Sequence, residues 1–106
     1  MRTQILTSAF LDLDLGRQFY ESQGEGLGDY FLDSLFSDID SLSIYAGIHS
    51  QYFGYYRLLS LRFPYSIYYK IEDGRVIVYR VLDQRNHPSK LRKRLLREPF
   101  DGEGRS

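Results

Sequence analysis

Arginine, tyrosine, aspartate and histidine recur through the second half of this 106-residue chain in an order that could serve phosphodiester chemistry. Cleaving RNA through its own 2′-hydroxyl without a metal needs a base, an acid for the leaving oxygen and cations on the phosphate. Arg57, Arg62, Tyr65, Tyr68, Arg80, Asp83, Arg85 and His87 are the residues that could supply them. Each has a competing ordinary role. Tyr55, Tyr56, Tyr65, Tyr68 and Tyr69 are good strand residues, for which packing is the commoner use. Arg57 and Arg85 end strands, where arginine pairs with a helix carboxylate such as Asp33 or Asp38 as readily as with a phosphate. His87 precedes Pro88 in a loop, and an ordinary imidazole pKa of about 6.5 would suit acid or base work there. Other chemistries find few residues. With histidine only at His49 and His87, no cysteine, and carboxylates spaced along helix exteriors, neither a metal site nor a cofactor is expected. There is no G-x-S-x-G for a serine hydrolase. Interleaved aromatic and basic residues also fit RNA contact by stacking, although the aromatic signature of an RNA-recognition sheet is absent.

The element that must position these residues runs from Tyr55 to Arg85 and reads as three consecutive strands. From Phe63, the set Phe63, Tyr65, Ile67, Tyr69, Ile71 points one way and Pro64, Ser66, Tyr68, Lys70, Glu72 the other, because side chains alternate along a strand. The first set is the expected core face. Asp73-Gly74 suits a two-residue hairpin turn, whose central positions both want positive φ. In the returning strand Val76, Val78 and Arg80 share one face and Ile77, Tyr79, Val81 and Asp83 the other. Being apolar on both sides, this strand is expected inside the sheet.

Upstream, Thr3 to Leu6 suits an opening strand. Thr7 or Ser8 could cap a first helix, in which Phe10, Leu13 and Tyr20, with Leu11 and Phe19, would be core. Asp12 and Asp14 fall near its start, where the dipole favours negative charge. Gly16 predicts a kink or a close approach. The turn around Gly24 to Gly26 is not a phosphate loop, since it does not follow a strand inside a βαβ unit. A second helix, about Leu27 to Leu42, carries Leu27, Phe31, Leu35, Ile39 and Leu42 in one stripe, and the two helices form a hairpin that must be buried on the sheet. Ser43 to Phe53 has no regular pattern. Past the last strand, Asp83 to Pro88 breaks the ladder, and a basic tail with a short helix, KLRKRLL, leaves the sheet edge with Leu91, Leu95 and Leu96 inward and Arg92, Lys93 and Arg94 outward. The fold class is therefore α+β: a mainly antiparallel sheet of three to four strands with an N-terminal helical hairpin on one face, in the order β-α-α-β-β-β. Residues 1–98 make one domain and 99–106 a polar, disordered tail.

At this length a single core buries roughly 60–70% of the unfolded surface. The absence of cysteine, of a basic leader before an apolar run and of any long apolar window predicts a cytoplasmic protein with no membrane contact. The zero net charge conceals a division: residues 1–49 carry two basic and eight acidic groups, and residues 50–106 twelve basic and six acidic. Between Arg75 and Arg97, eight basic groups face one acid, Asp83. Such polarity predicts one face for an acidic partner and another that repels it.

FYESQGEGLGDYF (Phe19 to Phe31) and YYRLLSLRFPYSIYYKIEDGRVIVYRVLDQRNHP (Tyr55 to Pro88) resemble the RelE/ParE superfamily of toxins from bacterial type II toxin-antitoxin modules, especially its ParE-like branch. The specific parts are FYE-x-Q-x-x-GLG, then YR followed by FPY-x-IYY, then VLDQR-x-x-P. The resemblance covers most of the chain. It implies the same β-α-α-β-β-β core and a cognate antitoxin, whose C-terminal segment wraps the toxin while its N-terminal domain binds operator DNA. RelE-like members cut mRNA on the ribosome, whereas ParE-like members poison DNA gyrase and show no evident hydrolytic site. Cutters often place an arginine directly after the tyrosine of the middle strand; here that position is Ser66. Asp83 stands where many have histidine. These departures favour a growth-inhibiting, plasmid-stabilising toxin that binds gyrase and is not itself an enzyme, with a ribosome-dependent endoribonuclease and a non-toxic antitoxin-binding relative as alternatives. An acidic amphipathic antitoxin helix would lie between helix one and the sheet, with Arg57, Arg62, Arg80 and Arg85 as partner-binding residues.

Overall fold

In the computed structural model, which describes residues 1–85 and 92–95, the alternation that starts at Phe63 becomes the middle of a sheet. β4 (Tyr65–Glu72) and β5 (Arg75–Asp83) are joined by Asp73 and Gly74, with φ of 53° and 73°. Both values match the turn whose twist suits a two-residue hairpin. β3 (Tyr55–Leu59) pairs antiparallel with the other side of β4, and a two-residue strand, β2 (Gln51–Tyr52), closes that edge. β1 (Arg2–Ile5) runs parallel to β5, so the order is β1-β5-β4-β3-β2. β5 is interior, as its two apolar faces required. β2 lies in the stretch where no periodicity could be read.

α1 (Thr7–Gln23) and α2 (Leu27–Asp40), followed by the short α3 (Leu42–Tyr45), cover one face. Ala9 and Leu13 from α1, Phe31, Leu35 and Ile39 from α2, and Leu42 meet Tyr65, Ile67 and Tyr69 of β4 and Val76, Val78 and Val81 of β5. This is the core face expected from the alternation. The opposite face is also covered. Tyr55, Tyr68 and Leu82 pack with Leu95, which is 1% exposed within a helical turn at residues 92–95. The basic segment thus folds back over the sheet rather than leaving its edge, with Arg92, Lys93 and Arg94 outward. β5 ends at Asp83, as the stretch from Asp83 to Pro88 predicted; the remainder of that stretch, the rest of the expected final helix and the 99–106 tail lie outside the described residues.

The faces of β5 depart from simple alternation. Tyr68 pairs with Arg80 but Tyr69 pairs with Val78, so Tyr79 is an extra residue in β5, a β-bulge. Past the bulge the parity flips, and Val81 joins Val76 and Val78 on the helix side instead of facing away. α1 serves the irregular backbone here. Ser8 is not a helix cap: the N-cap is Leu6 without a side-chain bond, and the Ser8 hydroxyl donates to the Tyr79 carbonyl at 2.6 Å. One turn on, Asp12 accepts from the Val81 N–H at 2.9 Å and from Arg80 Nε and Nη2 at 2.8 and 2.9 Å. Asp12 and Asp14 both lie beyond the first turn of α1, so the dipole is not their role; Asp14 takes Arg17 and Gln18 instead.

The two helices cross where they lack side chains. A Cβ on Gly16 would stand 2.5 Å from Cζ of Phe31, and one on Gly28 would stand 2.8 Å from the Arg17 carbonyl oxygen. Glu21 then reaches from α1 to accept from the Gly26 and Gly28 N–H groups at the start of α2, which holds its carboxyl below the usual range. The quoted motif FYE-x-Q-x-x-GLG is thus a helix-crossing device.

Gly16→Ala should lower stability by about 1–3 kcal/mol, although alanine is otherwise the better helix former by about 1 kcal/mol. A thermal melt shifted down by several degrees is the expected result; an upward shift would mean that the crossing is looser than described. Asp12→Ala should cost on the order of 3 kcal/mol, because it strands the Arg80 guanidinium and the Val81 N–H. Chemical denaturation would measure that loss, and pairing Asp12→Leu with Arg80→Met should recover much of it.

Candidate functional site

β1 ends at Ile5, opposite Val78, while β5 continues to Asp83. That difference leaves the last residues of β5, paired to β4 on one side, bordered on the other by α1 in place of a strand, and a groove of about 250 Å³ opens there. α1 contributes Asp12, Leu15, Gly16 and Phe19, the sheet contributes Tyr65, Val81, Leu82 and Asp83, and Arg85 and Arg94 complete it.

α1 has a second apolar stripe along this groove. Leu11, Leu15 and Phe19, at four-residue spacing, are 58%, 65% and 46% exposed. Phe10 is also exposed. Of the residues expected in the core from α1, Leu13 is buried and Tyr20 partly so, whereas Phe10, Leu11 and Phe19 are not. The buried stripe is Ala9, Leu13 and Gly16.

The groove's polar groups are tuned by one another. Asp83 accepts from the backbone N–H, Nε and Nη2 of Arg85 at 2.8, 2.8 and 2.6 Å. These bonds hold its carboxyl below the usual range and push the Arg85 guanidinium up. Burial, with Asp83 nearby, pushes the Tyr65 phenol up to about 12. At neutral pH, then, Asp83 is ionised and Tyr65 is a neutral donor. The arrangement suits binding an extended or helical segment with apolar side chains and carboxylates better than it suits proton transfer.

Among the residues expected at a site, Tyr65, Asp83 and Arg85 are brought together, and Arg80 lies behind them. Arg80 is turned to Asp12 and the Arg94 carbonyl, with its side chain 18% exposed, so its charge is already matched. Arg57 is elsewhere. It sits on the outer face of β3, its guanidinium 3.9 Å from the centroid of the Tyr52 ring and Nη2 donating to the Tyr52 hydroxyl at 3.0 Å. Beside it Tyr68 is buried, and burial pushes its phenol up against opposing side-chain hydrogen bonds with Arg57 and Ser66; Arg57 Nε and Ser66 Oγ have no other hydrogen-bond partner. Arg62 stands over the Tyr30 ring at 5.9 Å, on the loop whose Phe63 packs on Tyr20, Tyr30 and Phe31. No ion pair joins these arginines to Asp33 or Asp38 among the described residues; Asp38 accepts from Ser60 at 2.7 Å. His87 lies outside the described residues. The groove residues missed from sequence are Asp12, Leu15 and Arg94; a second stripe at Leu11, Leu15 and Phe19 was the readable signal. Among the described residues no cluster could hold a metal ion, and no helix is long and apolar enough to cross a membrane.

No protein-family model matches the sequence, and no curated protein does. A solved structure described as the chromosomal ParDE TA system from P. aeruginosa is similar in fold, with a TM-score of 0.65 at 19% identity, over 76% of this chain and 92% of that one. The α+β fold expected from the sequence is therefore the fold this chain adopts, and it is shared with that structure.

Proposed function

We propose that the protein is the toxin of a bacterial type II toxin-antitoxin module, neutralised in the cytoplasm by a cognate antitoxin that binds across α1. The carrying observation is the open apolar stripe Leu11, Leu15 and Phe19 beside a groove containing Arg85 and Arg94. A surface of that kind fits an amphipathic acidic segment: apolar side chains against the stripe, carboxylates against the guanidinium groups. Arg62, on the loop packed against Tyr20 and Tyr30, extends the cationic contact, and Arg80 positions the groove through Asp12. Operator DNA is reached only through the antitoxin. The likeness to a ParDE TA structure supports the module, and DNA gyrase is the proposed target, because Ser66 and Asp83 replace groups that mRNA cutters use.

A second reading, ribosome-dependent mRNA cleavage, is favoured by one observation: Arg57 Nε and Ser66 Oγ are donors beside Tyr68 on the outer face with no other hydrogen-bond partner.

Expression of the chain alone should arrest growth, co-expression of the adjacent reading frame should relieve the arrest, and the purified chain should inhibit gyrase supercoiling while ribosome-bound mRNA stays intact. Toxin-dependent cuts in that mRNA would replace the gyrase reading with the nuclease one; tight antitoxin binding without arrest would mark a non-toxic relative. For the interface, Leu15→Glu with Phe19→Glu should weaken the antitoxin complex about a hundredfold. Calorimetry should also find a larger loss for Arg85→Glu than for Asp40→Arg, and equal losses would sever the charge division from recognition.

A further inference from the structure

α3 reaches β2 through residues 46–50, the passage from the helical layer to the sheet edge, and one phenol fastens it. The Tyr69 hydroxyl accepts from the Gly47 N–H at 2.9 Å and is hydrogen-bonded to Nδ1 of His49. The His49 ring stands edge-on to Tyr69, with centroids 5.5 Å apart, and Tyr69 is stacked on Tyr56 at 5.2 Å. Since the oxygen takes the Gly47 proton, its own proton is the one directed at Nδ1. That assigns the neutral imidazole, with its proton on Nε2. Tyr69 is 0% exposed and burial pushes its phenol up, so the hydroxyl keeps its proton and has no exposed side to turn it towards.

We infer that His49 and Tyr69 form a pH-sensitive latch, closed while the imidazole is neutral and opened when it is protonated, which frees residues 46–50 and the short β2 edge behind them. A proton on Nδ1 sets three donors, from Gly47, His49 and Tyr69, around a single acceptor oxygen. One of them is then left unmatched inside the fold. Towards the sheet the segment has one further hydrogen bond among the described residues, from the Arg57 N–H to the Ser50 carbonyl at 2.9 Å, before β2 pairs with β3 through Gln51 and Tyr52. No described charge offsets the change. Residues 41–56 include no Asp, Glu, Lys or Arg. Around them, the Met1 ammonium is held by the Ser43 carbonyl, the Arg57 guanidinium lies on the Tyr52 ring, Lys70 faces Tyr55 and Tyr79, and Asp38 takes Ser60. No carboxylate among the described residues is ion-paired with His49. Burial accordingly holds the imidazole below its ordinary 6.5. The unfolded chain then takes up the proton first, so the latch contributes fully above 6.5 and its contribution is lost as pH falls below that value. The latch is independent of what enters the α1 groove.

Nuclear magnetic resonance of the full chain carrying His87→Gln, which leaves His49 as the sole imidazole, tests this by titration from about pH 8 to about pH 5.5. The His49 Cε1–H should titrate below 6.5, with the Nε2–H tautomer at the alkaline end. Protection of the Gly47 amide against hydrogen exchange, corrected for the intrinsic rate, should fall up to about tenfold over the range, ten being the factor for one pKa unit. In the same background His49→Gln should abolish that fall and flatten the accompanying drop in melting temperature. Tyr69→Phe should return the His49 titration towards 6.5. A parent titration at or above 6.5, or an Nδ1–H tautomer at the alkaline end, would overturn the inference. So would Gly47 protection whose pH dependence survives His49→Gln, or a His49 titration that Tyr69→Phe leaves unmoved.

Discussion

The carboxylate of Asp12 holds together the part of the molecule where its two layers diverge. β5 gains a residue at Tyr79 and outruns its parallel neighbour β1, so its backbone groups lose their ladder where the groove begins. Ser8 and Asp12, one turn apart on α1, take the Tyr79 carbonyl and the Val81 N–H, and Asp12 also holds Arg80 through both Nε and Nη2. Without those bonds, buried polar backbone would face the side of a helix, at about 1–3 kcal/mol for each unsatisfied group. An ion pair this sheltered contributes less to net stability than to geometry, because desolvation offsets much of its attraction. Its consequence is positional: α1 is fixed over the end of β5 at one height, and the spacing of the groove follows.

Parts of this were readable from the sequence, and the unread parts share a cause. The core face of β4 and the Asp73-Gly74 turn followed from local rules, alternation and positive φ, that packing did not override. The interior place of β5 followed from its two apolar faces. The bulge was unreadable, because one inserted residue in RVIVYRVLD leaves a run that still alternates plausibly; only the partner strand reveals that Tyr79 is extra. Asp12 and Ser8 looked like helix-start residues for the same reason: their partners are about seventy positions away. Of the candidate residues named from sequence, Tyr65, Asp83 and Arg85 come together because β4 and β5 are a hairpin. On α1, Phe10, Leu11 and Phe19 were misassigned to the core and Leu15 was not singled out, because a helix with two apolar stripes reads as one wide stripe.

Those two stripes distinguish α1 from α2. In α2 the apolar residues Phe31, Leu35 and Ile39 are buried and Asp29, Asp33 and Asp40 face solvent, with Leu27, expected in the buried stripe, and Tyr30 exposed in its first turn. In α1 the residues that face inward are small or absent, Ala9 and Gly16, with Leu13 between them, which lets the helix sit close to β5 and Phe31. Its larger apolar residues are left outside. A helix held by small residues and capped at neither end by a side chain gains little from its own exposed leucines and phenylalanines, so their presence on the open side reflects something other than folding.

The charge at the groove is held in a state that can be exchanged. Arg85 is tied to Asp83, two residues away, and its side chain is 58% exposed. An exposed pair of this kind contributes at most about 1 kcal/mol, so an incoming carboxylate displaces it at little cost. Until then Asp83 neutralises the arginine locally and keeps it from attracting nucleic acid or unrelated acidic surfaces. Arg80 differs: its side chain is 18% exposed and its carboxylate partner 9%, so it does not exchange. Placed five residues apart at the end of one strand, the two arginines separate the work of building the groove from that of recognising what enters it. Under the proposed function, a ligand would be selected by whether it brings both a carboxylate for Arg85 and apolar side chains for Leu15 and Phe19, since neither contact alone would offset the ordering that binding requires.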